Sequence, residues 1–270
     1  MPTEPEHPSV MQLGSPPPAY KVWMINLDRD AGRLARVTEW YRDVGVPFER
    51  YPAVLGSSVG HAERFLSLRF GRDTEDGTLG CALSHIGLWT KIAAGEDDYA
   101  LVLEDDAKPI APFPRDMSEL GCPRDFDVLY VNARMVPRGL SPDANEPRAL
   151  RLADAMALRA PGQRGHGTDG YFISKKGAAR MLRFAHQDRV LGHIDLQMIA
   201  CGISEEQFAS LVALNERFAG LQRVRRRRSS HDTCQMYVST LPLVTQWDEG
   251  VSARTQKVKG GHALDDEGGE

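Results

Sequence analysis

The amino-acid sequence predicts an α/β fold with a mainly parallel central sheet flanked by helices. Short apolar segments with the residue types of buried strands alternate with longer segments of helical periodicity. The chain has 270 residues, 41% of them hydrophobic, which suffices for one large domain or two small ones. Ligands bind beyond the carboxyl ends of the strands in such sheets, so polar residues at those ends are the first candidates for a site.

The first predicted unit is a strand, a helix and a second strand. Residues 20–27, "YKVWMINL", have the length and composition of a buried strand. A helix follows, ended by Gly45, and residues 48–54, "FERYPAV", form the next predicted strand. The apolar positions at helical spacing are Leu34, Val37, Tyr41 and Val44.

A longer helix is predicted from Thr78 to Gly95, followed by strands at residues 99–106 and 126–132. Ser84 and His85 are expected away from the centre of its apolar face. That face consists of Leu79, Ala82, Leu83, Ile86, Trp89 and Ala93.

The remaining chain is predicted as a surface loop over 133–167, a strand over 169–174 and a helix starting near Ser174. Two further helices are predicted over 192–202 and 204–222. Polar, Pro-rich or Gly-rich composition indicates a disordered lead-in over 1–19 and a flexible tail over 251–270, which leaves one domain over 20–250.

Composition excludes several classes of protein. A formal charge of -4 and a pI near 6.1 do not indicate a nucleic-acid binder. No apolar run approaches the roughly 20 residues of a membrane span, and the first residues lack the pattern of a signal peptide. We therefore expect a cytoplasmic protein.

Four cysteines, at positions 81, 122, 201 and 234, are widely separated and show no CxxC spacing. They are interpreted as reduced thiols, and scattered buried cysteines are commoner than the alternative, a cysteine-based zinc site.

Three consecutive carboxylates, Glu104, Asp105 and Asp106, end the strand at 99–106. Neighbouring like charges raise each other's pKa unless a cation lies between them. Mn²⁺ and Mg²⁺ prefer carboxylate oxygen and leave positions open for phosphate. Asn26 and Asp28 end another predicted strand at the same rim. The pattern favours a metal–diphosphate site, with a solvated acidic turn as the alternative.

Arg29 and Arg33 follow the first strand and could bind a phosphate or a sugar through their guanidinium groups. The alternative is a solvated first helical turn. The basic run at 223–228, "RVRRRR", is interpreted as a solvated turn, with a peripheral membrane contact or an acidic acceptor as the alternative.

Five motifs occur in order along the chain: "INLDRDAGR", "LGCALSHIGLW", "ALVLEDDA", "GTDGYFISKKGAARML" and "HIDLQM". They resemble glycosyltransferase family 25, which includes lipooligosaccharide and procollagen galactosyltransferases. The resemblance runs from about residue 20 to 246, and segment 203–230 and the Pro-rich 140s loop depart from it, so it does not identify the acceptor.

The resemblance implies a GT-A-type fold, a UDP-hexose donor carrying galactose or glucose, dependence on Mn²⁺ (or Mg²⁺), and inversion at the anomeric carbon. It places Glu104 and Asp106 on the metal, with His231 as a candidate third ligand or else a surface histidine. The matched donor-binding candidates, to which Arg33 is added, are Asn26, Leu27, Asp28, Arg29, Ser84 and Asp105.

Inversion requires a base facing the acceptor hydroxyl, which could belong to a glycan, a small molecule or a peptide. Asp195, in "GHIDLQ", is the first candidate, with an N-terminal helix cap as the alternative role. Asp169 is the second candidate and His85 the third. Two other functions stay open: a sugar-nucleotide or carbohydrate-binding protein without turnover, and a metal-dependent nucleotidyl- or phosphotransferase.

Overall fold

The computed structural model describes residues 18–60, 75–140, 148–159, 166–188, 193–204, 206–207, 209 and 233–247. Several predictions lie outside these residues. They are the flexible tail at 251–270, nearly all of the lead-in at 1–19, most of the helix at 204–222, the basic run at 223–228, and His231.

The described elements follow one another in an alternating α/β order. Short 3-10 turns lie at Gly56–Ser58 and Met117–Leu120. The elements are β1 (Lys21–Asn26), α1 (Ala31–Asp43), β2 (Glu49–Pro52), α2 (Asp76–Ala94), β3 (Tyr99–Glu104), β4 (Ala107–Pro109), β5 (Val128–Tyr130), β6 (Ala149–Arg151), α3 (Leu152–Ala157), β7 (Gly170–Ser174), α4 (Lys175–Asp188), α5 (Ile194–Gly202), β8 (Met236–Ser239) and β9 (Val244–Gln246).

Seven strands form the central sheet in the order β2-β1-β3-β7-β5-β8-β6, and β4 pairs with β9 in a separate ribbon. The pairs β2–β1, β1–β3 and β5–β8 are parallel, whereas β7 runs antiparallel to both β3 and β5, and β6 antiparallel to β8. The predicted α/β, GT-A-type architecture is confirmed, in the form of a mixed sheet.

Both faces of the sheet are covered, which explains why its inner strands read as continuous apolar runs. Along β1, Trp23 and Ile25 point into a core shared with α2, α4 and α5. Val22 and Met24 point to the opposite face, into a core that includes Val37 and Tyr41 of α1. Among the described helices, none is both long enough and apolar enough to cross a membrane.

Two glycines shape the elements that lead to the site. Gly45 adopts a φ of 70°, the left-handed conformation that ends α1 as the sequence predicts. Gly80 lies where α2 meets the chain after β2, and a Cβ there would be 2.5 Å from the backbone oxygen of Val54. The absence of a side chain at Gly80 allows this close approach of backbones.

The predicted surface loop over 133–167 is wrong in part, because its described residues include β6 and α3. β6 has only three residues and pairs with β8, far away in the chain, so no local periodicity could show it. For the same reason the short strands β4, β8 and β9 were not predicted.

Ser84 and His85 lie beside the apolar face of α2, and both are nevertheless buried. The reason is that α2 is covered on more than one side, by the sheet, by α4 and α5, and by the chain around Gly56. Periodicity predicts the apolar face of a helix and not the neighbours that bury its other faces.

Candidate functional site

The carboxyl ends of β1 and β3 bring Asn26 and the acidic triplet together. The two strands are parallel, with Ile25 opposite Glu104. The side-chain amide of Asn26 donates a hydrogen bond of 2.8 Å to Asp105 Oδ2, and its other donor contact, 3.2 Å, is to the backbone oxygen of Asp30. Asn26 is buried, so it holds the first turn of α1 and the triplet in fixed relation.

Arg33 supplies part of the positive charge that the triplet requires. From α1, its Nη1 lies 2.9 Å from Asp105 Oδ1 and its Nη2 lies 3.6 Å from Asp106 Oδ2. Asp106 Oδ2 also accepts a 2.9 Å hydrogen bond from the Gln246 side chain at the end of β9. The residue proposed to hold a phosphate is therefore an ion-pair partner of the carboxylates.

Asp169 adds a fourth carboxyl group to the same place. It directly precedes β7, and its backbone oxygen accepts a 3.2 Å hydrogen bond from the backbone N–H of Glu104. Arg134 Nη2 lies 2.5 Å from Asp169 Oδ1. The hydroxyl of Thr168 donates to Glu104 Oε1. We call Glu104, Asp105, Asp106 and Asp169 the acidic cluster.

The acidic cluster carries more negative charge than its described basic partners neutralise. Its four carboxyl groups face two guanidinium groups, those of Arg33 and Arg134. Burial raises the pKa of Asp105 to about 6 and that of Asp169 to about 6, against the opposing effect of the arginines. Burial, and then the charge of Glu104, also raise the pKa of Asp106.

Two carboxylate oxygens of the cluster, Asp106 Oδ1 and Asp169 Oδ2, are buried without a hydrogen-bond partner. An ionised oxygen in that position is costly unless a cation or a donor reaches it. Hard divalent cations take carboxylate oxygens as ligands, so the excess charge and these two oxygens fit Mn²⁺ or Mg²⁺. The carboxylate oxygens of the acidic cluster are therefore suitable ligands for such an ion.

His85 approaches the cluster from α2 and is held by a chain of hydrogen bonds. Trp89 Nε1, which can only donate, lies 2.9 Å from the Tyr171 hydroxyl, and that hydroxyl lies 2.8 Å from His85 Nδ1. The Tyr171 proton is then available to Nδ1, which leaves the imidazole proton of neutral His85 on Nε2. Nε2 faces Glu104 Oε1 at 3.3 Å.

The other donor-binding candidates lie around the end of β1. Leu27 is half-buried, and Asp28 and Arg29 are exposed. Arg29 precedes α1 and lies 3.9 Å from Asp30, whereas Arg33 pairs with Asp105. Asp28 pairs with Arg50.

Ser84 has local partners. Its hydroxyl donates 2.6 Å to the backbone oxygen of Gly80 and accepts 2.8 Å from the backbone N–H of Val54. These bonds tie α2 to the chain after β2, which is a structural use of the hydroxyl proton.

Asp195 lies in the first turn of α5 and is half-buried. Its Oδ1 accepts a 2.8 Å hydrogen bond from the backbone N–H of Leu196, while His193 occupies the N-cap position. Burial raises the pKa of the Tyr130 hydroxyl, and the negative charge of Asp195 adds to that effect. The Tyr130 hydroxyl has no hydrogen-bond partner. The hydrogen bond between Asp195 and Leu196 lies outside the acidic cluster.

Comparison with known proteins shows a relationship to one family. The sequence pattern of "Glycosyltransferase family 25 (LPS biosynthesis protein)" matches residues 19–113. The chain is related to glycosyltransferase family 25. This confirms the resemblance seen in the sequence motifs.

Similar proteins come from several animals. A "Glycosyltransferase 25 family member" from Drosophila pseudoobscura pseudoobscura is 28% identical over 176 residues, 60% of this chain and 26% of that protein. "Procollagen galactosyltransferase 1" from Danio rerio is 27% identical over 178 residues, 60% of this chain and 28% of that protein. The matched region spans little more than a quarter of the length of these relatives.

The family 25 pattern covers some of the candidate site residues and not others. Residues 19–113 contain Asn26, Arg33, His85 and the triplet, and they end before Asp169 and Asp195. Of these two residues, Asp169 contacts the triplet through its backbone hydrogen bond with Glu104, whereas Asp195 is hydrogen-bonded to Leu196.

Several residues around the acidic cluster are not predicted from the sequence. Thr168 directly precedes Asp169 in the motif that begins "GTDGY", and this position could have predicted it as a site residue. Arg50, Arg134 and Gln246 lie in segments without a motif, and only the fold brings them to the rim.

Proposed function

We propose that this chain is a metal-dependent inverting glycosyltransferase that moves a hexose, galactose or glucose, from a UDP-sugar to an acceptor hydroxyl. The acceptor class would be a glycan, a small molecule or a peptide. The observation that carries the proposal is the pair of buried carboxylate oxygens without partners, Asp106 Oδ1 and Asp169 Oδ2. One belongs to the triplet inside the region related to family 25.

Asp106 and Glu104 would hold Mn²⁺ or Mg²⁺, with Asp169 within the same charged cluster. When bound, the cation would neutralise the diphosphate that leaves with UDP. Asn26 positions Asp105. Arg33 can remain on Asp105, since a cation ligated by Asp106 Oδ1 does not use the oxygen atoms that face this guanidinium.

The choice of base rests on access to an acceptor. Asp169 has no exposed surface and is bound to Arg134, and His85 is buried between Tyr171 and Glu104. Asp195 is only half-buried, so part of this residue is open to solvent. This difference supports Asp195 as the group that takes the acceptor proton.

The experiment is a release assay with a panel of UDP-sugars, Mn²⁺ and candidate acceptors. We expect UDP release from one hexose donor, lost on chelation of the metal and restored by Mn²⁺. Binding of a UDP-sugar without any release would instead indicate a binding protein. Release of pyrophosphate or transfer of phosphate would indicate the nucleotidyl- or phosphotransferase.

Asp127→Asn is a matched control for variants of the cluster. Asp127 is also a fully buried carboxylate with one oxygen lacking a hydrogen-bond partner, and it pairs with Arg180 at 2.6 Å and with Lys176 at 3.9 Å. It immediately precedes β5 and its backbone oxygen bonds Ser174, at the sheet end opposite Glu104. This control separates a general loss of stability from a loss of the site.

A further inference from the structure

Cys81, His85 and Glu104 form a second group of metal-ligating side chains beside the acidic cluster. Their ligand atoms, one sulfur, one nitrogen and one oxygen, all lie within 4.8 Å of one another. Within this group, His85 Nε2 lies 3.3 Å from Glu104 Oε1.

The fold places these three residues together for simple reasons. Cys81 and His85 are four residues apart on α2, so their side chains lie on one face of the helix, one turn apart. Glu104 ends β3, on the sheet that α2 covers. His85 is buried, whereas Cys81 is partly exposed and gives an ion a route from solvent.

We propose that Cys81, His85 and Glu104 bind a divalent cation of borderline softness, Zn²⁺ in the first place. Thiolate and imidazole ligands favour Zn²⁺, whereas Mn²⁺ and Mg²⁺ favour the oxygen atoms of Asp106 and Asp169. Bond lengths of about 2.0 to 2.3 Å around a tetrahedral zinc put ligand atoms roughly 3.3 to 3.8 Å apart. Side-chain movements of about 1 Å would therefore bring the three ligand atoms to the distances that zinc requires.

A second observation supports this assignment. Metal-binding histidines commonly use their other ring nitrogen in a hydrogen bond that fixes the ring. His85 has that arrangement, because Nδ1 contacts the Tyr171 hydroxyl at 2.8 Å and Trp89 Nε1 holds the hydroxyl at 2.9 Å. Zinc binding at Nε2 would shift the single ring proton of His85 to Nδ1, which would then donate a hydrogen bond to the Tyr171 oxygen, and it would release the Cys81 thiol proton to solvent.

The zinc site shares Glu104 with the acidic cluster. An ion bound at Cys81 and His85 would therefore take a carboxylate from the hard-cation site or bridge to it. The proposal does not depend on transferase activity, because its test measures metal binding by a chain that need not turn over.

The first test uses Co²⁺ as a spectroscopic probe. Added to the wild-type chain, Co²⁺ should produce a sulfur-to-cobalt charge-transfer band in the near ultraviolet. The band should vanish in Cys81→Ser and persist in Cys122→Ser. Cys122 is a suitable control because it is also partly exposed, and burial raises the pKa of its thiol to about 12. No band in the wild type, or a band that survives in Cys81→Ser, would overturn the proposal.

The second test measures zinc affinity by competition with a chromophoric chelator. Cys81→Ser and His85→Gln should each weaken Zn²⁺ binding by more than the roughly 10- to 100-fold that follows loss of an outer partner. Tyr171→Phe should show that smaller loss. Thermal melting of each apo variant identifies any that fail to fold, and unchanged zinc affinity in both folded ligand variants would refute the site.

Discussion

Arg33 Nη1 lies 2.9 Å from Asp105 Oδ1, so a side chain of helix α1 partly neutralises the acidic triplet at the end of β3.

 The two side chains come from different units of the chain, α1 and the end of β3, and they meet because β1 and β3 are parallel neighbours. Asn26 fixes the same carboxylate from β1 with a 2.8 Å hydrogen bond. The triplet is therefore partly neutralised by the chain itself, and the oxygens left without a partner are Asp106 Oδ1 and Asp169 Oδ2.

Asp106→Asn should abolish sugar transfer and weaken Mn²⁺-dependent UDP binding, because it removes one anionic ligand from the cluster. Turnover and UDP affinity, both measured across a Mn²⁺ titration, give the two quantities. Asp127→Asn should keep the activity of its folded fraction. Normal turnover of Asp106→Asn at limiting Mn²⁺ would contradict the metal assignment.

Asp105 should make folding stability fall as pH rises from about 4 to about 6, since its pKa in the folded chain is raised to about 6. In this range the folded state holds more protons than the unfolded state, so raising the pH favours unfolding. Above the folded pKa the loss is complete. Mn²⁺ binds ionised carboxylates and should therefore raise the melting temperature more at pH 7 than at pH 5.

Urea denaturation of the wild type and Asp105→Asn at a series of pH values isolates this effect. The comparison is needed because other groups make folding stability rise with pH. Hydrogen bonds from Ser118, for example, lower the pKa of Asp116. The wild type should lose stability relative to the variant between pH 4 and about pH 6. A pH-independent difference would show that Asp105 titrates normally.

Asp195→Asn should leave UDP and Mn²⁺ binding intact, because the carboxylate of Asp195 is hydrogen-bonded to Leu196, outside the acidic cluster. Transfer should nevertheless fall by roughly 10²- to 10⁴-fold, the usual contribution of a positioned base. The measurements are UDP titration with Mn²⁺ and the rate with a working acceptor. Lost UDP affinity would assign Asp195 to the donor side, and a near-normal rate would pass the base role to Asp169 or His85.

Gly80→Ala should destabilise the fold by about 1 to 3 kcal/mol, because its Cβ would lie 2.5 Å from the Val54 oxygen and 2.8 Å from the Gly56 nitrogen. Gly32→Ala is the control, since nothing lies within 4 Å of a Cβ there. That change should stabilise α1 by no more than about 1 kcal/mol. Equal effects of the two substitutions on urea unfolding would show that the close approach is not tight.

The sequence by itself determined the α/β class, most of the longer helices and strands, and the rim that carries Asn26 and the triplet. These features depend on local patterns: apolar runs for β1 and β3, helical spacing for α1 and α2, and Gly45 at a helix end. Each pattern lies within a few turns or one strand, where side-chain periodicity reports directly on burial.

Only the tertiary structure decided which charges meet. Arg134 joins Asp169, Gln246 joins Asp106, and Tyr171 holds His85, each across a separation of at least 35 residues. It also buried Ser84 and His85 and reversed β7 between β3 and β5. Such contacts depend on how elements pack and pair over long distances, and local periodicity carries no record of the partner.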